Sequence, residues 1–222
     1  MKSYKYILLD WDGNLAKTLD LWLRVFRTVL DEEGYHPTDE EIAASFGKVE
    51  DFFSALGIKN PKVIYEKADV LGKKALPDVE LYPEALEVLN KLKELGKKTA
   101  LITTSAKVNI EHLLDKYDMH PLFDVVITRE DTSSHKPHPE PLIKALTMLK
   151  GNIAEAVMIG DSDKDLGAAL NAGVDSILFY PEEHKKFYNI DALMSHRPTY
   201  IVENFKDILG IVSVEHSNIE EV

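Results

Sequence analysis

Residues 6–15 decide the fold, and they read Tyr6-Ile7-Leu8-Leu9-Asp10-Trp11-Asp12-Gly13-Asn14-Leu15. The first four residues are apolar without alternation, which is typical of a parallel strand buried on both faces. Two carboxylates, Asp10 and Asp12, then follow one residue apart, with Gly13 directly behind them. Because ligands of parallel sheets bind beyond the carboxyl ends of the strands, this stretch predicts a buried strand that leads into an acidic functional loop.

Similar short apolar runs recur along the chain, and helical patterns lie between them. The pattern from Pro83 to Leu95 repeats its apolar residues three and four apart and stops at Gly96. Strands that alternate with helices form a mostly parallel, covered sheet, so we expect an α/β fold with a doubly wound, Rossmann-like core. The predicted strands are residues 6–9, 100–103, 125–127, 157–159 and 176–179, with a weaker sixth at 200–202.

The interval between the first two strands, about 90 residues, is too long for a single crossover connection. Its helical patterns cover residues 19–33, 38–46, 49–56 and 61–76. We therefore predict a small α-helical cap domain inserted into the sheet domain. The predicted boundaries are 1–18 and 80–212 for the core, 19–79 for the cap, and 213–222 for a loose acidic tail.

The charge balance argues against several classes of partner. The 222 residues carry 26 Lys+Arg against 38 Asp+Glu, so the formal net charge is −12. Non-specific binding to nucleic acid or to anionic membrane needs clustered basic surface, and neither partner is expected. No apolar run approaches the roughly 20 residues of a membrane helix. The sequence contains no cysteine, which excludes disulfides and thiolate chemistry. We expect a cytoplasmic protein.

Polar clusters follow the first two predicted strands. Asp10 and Asp12 follow the first strand, and the hydroxyl residues Thr103 and Thr104 end the second. Paired carboxylates can act as nucleophile, metal ligand, acid or base, and hydroxyls with N–H groups at a helix start can bind an anion. Each cluster also has an ordinary structural explanation, an acidic turn for the first and a helix N-cap for the second.

Two more clusters follow the third and fourth strands. Lys136, with Pro137 behind it, offers a fixed positive charge, although a lone lysine is more often solvated. Asp161 and Asp165 offer oxygen ligands of the kind that Mg²⁺ prefers, although Asp161 can also cap a helix. Since all four clusters would converge on one end of one sheet, their joint occurrence favours a functional site.

In their order and spacing these motifs resemble those of the haloacid dehalogenase superfamily. The resemblance is to its capped, phosphoglycolate phosphatase-like and β-phosphoglucomutase-like branch, and it covers Tyr6 to about Phe205. Residues 10–13 match the family's Asp-x-Asp-Gly-Thr motif, with Asn14 where threonine is usual. Thr103 matches the hydroxyl motif, Lys136-Pro137 the lysine motif, and residues 160–165 the Gly-Asp-Ser-x-x-Asp motif.

The resemblance implies an enzyme, a Mg²⁺-dependent phosphatase that hydrolyses a small phosphate monoester in two steps. Asp10 would attack phosphorus to form an aspartyl-phosphate, and Asp12 would act first as acid and then as base. The implied metal ligands are Asp10, the Asp12 backbone carbonyl, Asp161 and Asp165, the last as a ligand or as outer support. The implied phosphate-binding residues are Gly13, Asn14, Thr103, Thr104 and Lys136, of which Thr103 and Lys136 are also implied to be catalytic.

Three lysine and glycine positions are candidates for substrate contact. Lys17 stands where many relatives carry an acid, and it either favours substrates with a second negative group or is simply exposed. Gly47 and Lys48 fall where cap phosphatases often contact substrate, although a glycine that ends a helix is the simpler explanation.

The expected partner is a small phosphorylated metabolite. Two alternatives stay open: a phosphomutase, which would share every motif, and a non-catalytic binding protein on the same fold. The residues do not identify the ester or the oligomeric state.

Overall fold

The sheet has six strands within residues 2–46 and 48–213, which are the residues that the computed structural model describes. The strands are β1 Tyr6–Leu9, β2 Lys98–Ile102, β3 Val125–Ile127, β4 Ala156–Gly160, β5 Asp175–Phe179 and β6 Tyr200–Val202. All pairs are parallel, in the order β3-β2-β1-β4-β5-β6. The predicted doubly wound, Rossmann-like sheet is therefore confirmed. The tail expected at 213–222 lies outside the described residues apart from Ser213.

Helices cover the sheet and fill the long interval after β1. Their bounds are α1 Leu19–Glu32, α2 Asp39–Ala44, α3 Val49–Ala55, α4 Pro61–Ala75, α5 Ala85–Glu94, α6 Lys107–Lys116, α7 Glu140–Leu149, α8 Asp163–Ala172, α9 Ile190–Met194 and α10 Asp207–Val212. The helices α1 to α4, here called the inserted helices, match the four helical patterns between β1 and β2. Among the described residues, no helix is long and apolar enough to cross a membrane.

Burial on both faces of the sheet explains why β1 lacks an alternating pattern. Successive side chains of a strand point to opposite faces. Ile7 and Leu9 join an apolar cluster with Leu92 of α5, whereas Leu8 joins a second cluster with Leu142 of α7. All five side chains are fully buried. The sheet therefore forms a rigid platform whose carboxyl edge carries the polar loops.

The inserted helices leave and rejoin the sheet domain at one place. The backbone N–H of Lys17 donates to the Glu80 carbonyl oxygen at 2.8 Å, and that of Tyr82 donates to the Leu15 carbonyl oxygen at 2.9 Å. The two connecting segments therefore run side by side just beyond β1. This arrangement holds the inserted helices over the carboxyl edge of the sheet.

Several element boundaries differ from the prediction by one or two residues, and two of them have a clear local cause or lie at the polar loops. The helix expected from Pro83 begins at Ala85, because Glu84 adopts a left-handed backbone with φ of 69° that an α-helix cannot include. The strand expected to end at Thr103 ends at Ile102. The Thr103 N–H still donates to the Ile127 carbonyl oxygen at 2.9 Å, so Thr103 lies directly at the strand end.

The packing of α5 gives a test of the fold. Leu92 is fully buried, whereas Leu95, at the end of the same helix, is 38% exposed. Leu92→Ala should lower the free energy of unfolding by about 2–5 kcal/mol because it leaves a cavity, and Leu95→Ala by roughly 0.5 kcal/mol. Urea unfolding of both variants checks this expectation. Equal losses for the two variants would contradict the packing described.

Candidate active site

The four predicted polar clusters meet at the carboxyl edge of the sheet. β2, β1 and β4 are adjacent, so the loops that follow them are adjacent too. We call the side chains that meet there the strand-end site: Asp10, Asp12, Thr103, Lys136, Asp161 and Asp165. All of them except Asp12 are more than nine-tenths buried.

Lys136 is the central group of this site. Its ammonium group donates to Asp10 Oδ1 at 2.5 Å, to Asp165 Oδ1 at 2.5 Å and to the Ile102 carbonyl oxygen at 3.0 Å. Burial alone would lower the pKa of Lys136, but the charges of Asp10 and Asp165 outweigh it and raise the pKa above its usual range. Lys136 is therefore a fixed, ionised cation and not the solvated lysine of the alternative explanation.

Asp10 lies beside that cation in an environment that is still dominated by negative charge. Burial and the neighbouring Asp165 carboxylate raise the pKa of Asp10 to about 8, although Lys136 opposes the shift. Ionisation of Asp10 is therefore unfavourable unless more positive charge is supplied.

The Asp161 carboxylate is the group without compensation. It is 1% exposed, and among the described residues neither of its oxygens has a hydrogen-bond partner. Burial and the charges of Asp165 and Asp10 raise the pKa of Asp161 well above its usual range. One carboxylate oxygen each from Asp10, Asp161 and Asp165 lies within 4.8 Å of the other two. Such a set of buried oxygen ligands with excess negative charge fits a hard divalent cation.

Asp165 both caps the start of α8 and contacts Lys136 in the strand-end site. Its Oδ2 accepts from the Ser162 hydroxyl at 2.6 Å and from the Ser162 N–H at 3.2 Å, forming a capping box at the start of α8. Its Oδ1 accepts from Lys136. A Cβ on Gly160 would lie 2.4 Å from the Asp165 Cγ, so only glycine fits at that position. Both carboxylate oxygens thus have protein partners, which makes Asp165 a support for Lys136 and the loop.

The loop after β1 uses Gly13 and Asn14 differently from the prediction. The Gly13 N–H, expected to face a phosphate, donates to the Ala16 carbonyl oxygen at 3.0 Å and lies 3.1 Å from Thr18 Oγ1. The Asn14 side chain is fully buried and donates to the Asp10 carbonyl oxygen at 3.0 Å. These contacts do not support the phosphate-binding role of either residue, because the tight turn uses their donors internally.

Gly13 is nevertheless required by the close approach of Asp161. Its φ is 73°, and a Cβ there would lie 2.2 Å from Asp161 Oδ2. A side chain would therefore displace the uncompensated carboxylate.

Asp12 is held by one residue from the inserted helices and one from the loop after β2. Its Oδ1 accepts from Trp22 Nε1 of α1 at 3.1 Å, and its Oδ2 accepts from the Ser105 hydroxyl at 2.7 Å. The Thr103 hydroxyl oxygen in turn accepts from the Ser105 N–H at 3.0 Å. The helical pattern at residues 19–33 does not show that the Trp22 side chain reaches across to another loop, so the sequence did not mark Trp22 as a site residue.

A cavity of about 490 Å³ separates the strand-end site from the inserted helices. Asp10, Asp12, Thr104, Lys136 and Asp161 line its sheet side. The opposite side is lined by aromatic and charged residues of the inserted helices, among them Trp22, Phe46, Lys48, Tyr65 and Asp69. The volume suits a small molecule.

The three candidate substrate residues fall in different places. Lys48 lines the cavity. The Lys17 ammonium group lies 3.8 Å from Glu183 Oε1 and 5.4 Å from the centre of the Tyr82 ring, in the exposed connection to the inserted helices. Gly47 lies outside the described residues.

Tyr188 and Arg129 also line the cavity, and neither was singled out from the sequence. Tyr188 lies close enough to Asp161 to lower the pKa of that carboxyl group, without meeting the geometry of a hydrogen bond. The preceding Phe187 packs against Phe46, with ring centres 5.1 Å apart. Tyr188 and Arg129 belong to irregular segments after strands, where no periodic pattern marks a functional position.

The uncompensated Asp161 charge gives a test in the absence of metal. Asp161→Asn should raise the free energy of unfolding in chelator at pH 7.5 by about 1–3 kcal/mol, since it removes a buried, unpaired charge. Because the folded-state pKa of Asp161 is raised, its destabilisation of the folded wild type is absent below the unfolded pKa of about 4 and grows as pH rises.

Urea unfolding at pH 4.5 and 7.5 checks both the gain and its decline toward acid. The exposed Asp78→Asn is the matched control and should change little. An Asp161→Asn protein that is less stable than the wild type in chelator at pH 7.5 would contradict the assignment.

Comparison with known proteins agrees with this geometry. The model of the haloacid dehalogenase-like hydrolase family matches residues 7–179. A protein named pyrophosphatase PpaX from Bacillus cereus (strain B4264) is 30% identical over 214 residues, covering 93% of this chain and 95% of that protein.

Two solved structures share the fold. A haloacid dehalogenase-like family hydrolase from Streptococcus pneumoniae has a TM-score of 0.80 at 21% identity, covering 95% of this chain and 99% of that chain. A predicted phosphoglycolate phosphatase from Haemophilus somnus 129PT has a TM-score of 0.78 at 21% identity, with coverage of 95% and 99%. Because the family match extends from β1 to β5 and includes the inserted helices, the chain belongs to the haloacid dehalogenase-like hydrolases and is an enzyme.

Proposed function

We propose that the protein is a Mg²⁺-dependent phosphatase that hydrolyses a small phosphate monoester through an aspartyl-phosphate on Asp10. The position of Asp10 carries this proposal. Its carboxylate lines the cavity, lies 2.5 Å from the Lys136 ammonium group and contributes to the oxygen cluster with Asp161 and Asp165. A nucleophile, a fixed cation and a metal-binding set thus converge on one wall of the cavity.

The residues present fit Mg²⁺. The uncompensated Asp161 carboxylate, the Asp10 carboxylate and the Asp12 backbone carbonyl would hold it, with Asp165 as support from behind. Bound there, Mg²⁺ would supply positive charge that offsets the repulsion between the Asp10 carboxylate and an anionic phosphate. Lys136, which contacts Asp10 directly, would offset the same repulsion.

The first chemical step uses Asp10 and Asp12. A carboxylate oxygen of Asp10 forms a bond to phosphorus while the bond to the leaving oxygen breaks, and Asp12 donates a proton to that oxygen. In the second step Asp12 removes a proton from water as the water oxygen attacks phosphorus. This step releases phosphate and restores both side chains.

The contacts of Asp12 indicate which of its oxygens carries the transferable proton. The indole N–H of Trp22 can only donate, so it keeps Oδ1 in the accepting state. The Ser105 hydroxyl can donate or accept, so it can serve Oδ2 in both protonation states. We therefore assign the proton transfer to Oδ2. The Thr103 hydroxyl, Thr104 and Lys136 would bind the phosphoryl oxygens.

The names of the relatives support a small phosphorylated substrate, since one is called a pyrophosphatase and another a predicted phosphoglycolate phosphatase. A core at 1–18 and 80–212 with a cap at 19–79 agrees with this function, because the cavity lies between the two parts. Product analysis with a hexose phosphate separates the phosphatase from the phosphomutase alternative. Cytoplasmic localisation and the absence of a nucleic-acid partner stay predictions.

Removal of the nucleophile is the first test of the activity. Asp10→Asn should reduce phosphate release from small phosphate esters at least about 10³-fold, because the amide cannot form the phosphoryl intermediate. The exposed Asp78→Asn should retain wild-type turnover, and excess chelator should abolish it in the wild type until Mg²⁺ is restored. Substantial turnover by Asp10→Asn would exclude the proposed mechanism.

The acid role of Asp12 depends on the leaving group. Asp12→Ala should slow hydrolysis of ethyl phosphate by about 10²–10⁴-fold, because an alkoxide leaves poorly without a proton. Hydrolysis of p-nitrophenyl phosphate should slow much less in the first step. Single-turnover rates for the two esters measure the difference, and the same loss with both would count against proton donation by Asp12.

A further inference from the structure

Arg129 faces the cavity from the sheet side without a part in the chemistry described above. It begins a short turn, Arg129–Asp131, directly after β3, and its backbone N–H donates to the Ser105 carbonyl oxygen at 3.2 Å. Ser105 in turn holds Asp12. The Arg129 backbone is thereby tied to the segment that holds the leaving-group acid, and its side chain lines the same cavity.

The partner of Arg129 comes from the inserted helices. Its Nη1 lies 3.7 Å from Oδ2 of Asp69 on α4, and the two side chains are 44% and 55% exposed. A pair this open and this long contributes little to folding stability. The pair therefore joins the two walls of the cavity with a contact that a ligand can replace at small cost.

Lys136 and Arg129, two cations that line the cavity, differ in their availability. Lys136 is committed to two buried carboxylates. The Arg129 side chain has the exposed Asp69 as its only ion-pair partner among the described residues. A guanidinium group binds a carboxylate or a phosphate through two parallel N–H donors, which is more favourable than a single ion contact at 3.7 Å.

We propose that Arg129 determines specificity by binding an oxyanion carried by the leaving group, a carboxylate or a second phosphate. Asp69 is its internal competitor, occupying Arg129 when the leaving group is neutral. This inference rests on the proposed phosphatase function and adds the class of ester that the site prefers. Arg129 exchanges one carboxylate for another anion, and no bond is made or broken in that exchange.

A matched pair of esters tests the role of Arg129. Phosphoglycolate and 2-hydroxyethyl phosphate have the same length and differ in a carboxylate against a hydroxymethyl group. The wild type should prefer phosphoglycolate in kcat/KM, and Arg129→Gln should reduce that preference about tenfold, mainly through KM. Arg24→Gln, on the exposed face of α1, should leave the preference unchanged. Pyrophosphate, used as a third substrate, shows whether Arg129 favours a second phosphate or a carboxylate on the leaving group.

Removal of the competing Asp69 carboxylate should change the substrate preference in the opposite direction. Asp69→Asn should raise the preference for phosphoglycolate about two- to fivefold, since it frees Arg129. In the Arg129→Gln background, Asp69→Asn should give no increase. Asp51→Asn makes the same change of charge on the cavity wall without a contact to Arg129, so it should stay within about twofold of wild type.

The outcomes separate this inference from the proposed function. If the wild type hydrolyses both esters without preference, or if Arg129→Gln lowers both equally, the specificity role of Arg129 is wrong while the phosphatase stands. If the gain of Asp69→Asn persists without Arg129, or if Asp51→Asn matches it, Asp69 acts as a general charge and not as a competitor. If neither ester is hydrolysed while other small phosphate esters are, this inference fails and the phosphatase stands; if no small phosphate ester is hydrolysed with Mg²⁺ present, both fail.

Discussion

One buried ammonium group organises the strand-end site. Lys136 contacts Asp10, Asp165 and the end of β2, and it supplies one positive charge against the three buried carboxylates Asp10, Asp161 and Asp165. With all of them ionised, the cluster carries 1 − 3 = −2. Burying unbalanced charge is costly unless a further cation or protonation offsets it. The raised pKa values of Asp10 and Asp161 express the same imbalance, and it is why the site fits a divalent metal.

The loops around the site are shaped to accommodate the buried carboxylates. Gly13 and Gly160 stand where a Cβ would collide with Asp161 and Asp165. Asn14 and Ser162 satisfy the neighbouring backbone and carboxylate groups. Among the described residues the loops therefore leave Asp161 as a carboxylate without a hydrogen-bond partner, and it lines the cavity. The net charge of −12 opposes an incoming anion over the whole surface, so capture has to rely on local positive charge: Lys136, the proposed Mg²⁺ and, by our inference, Arg129.

The sequence predicted the sheet well because its signals are local. Runs such as residues 6–9 and 157–159 are apolar on both faces, and each is followed by a polar cluster. The convergence of those clusters follows from the parallel topology alone. The order of the motifs then predicted which loop carries the nucleophile and which lysine lies beside it. The start of the helix at Ala85 differed from the prediction by two residues, because a left-handed Glu84 leaves no clear sequence signal.

What the sequence could not supply are contacts between distant segments. The contact of Trp22 with Asp12 could not be predicted, because the position of its indole N–H depends on how α1 lies over the sheet. Arg129 and Tyr188 occupy irregular segments with no periodicity to mark them. Gly13 and Asn14 carry donors that suit a phosphate, but the tightness of their own turn uses those donors first.

The central claim is that Asp10 becomes covalently phosphorylated while Lys136 holds it in place. Rapid mixing of the Mg²⁺-loaded protein with a reactive phosphate ester, followed by acid quench, borohydride reduction and peptide mass spectrometry, tests it most directly. Reduction of an aspartyl-phosphate yields homoserine, so homoserine is expected at position 10 only when ester is present. Ester turnover without reduction at Asp10, or with reduction at another carboxylate, would contradict it.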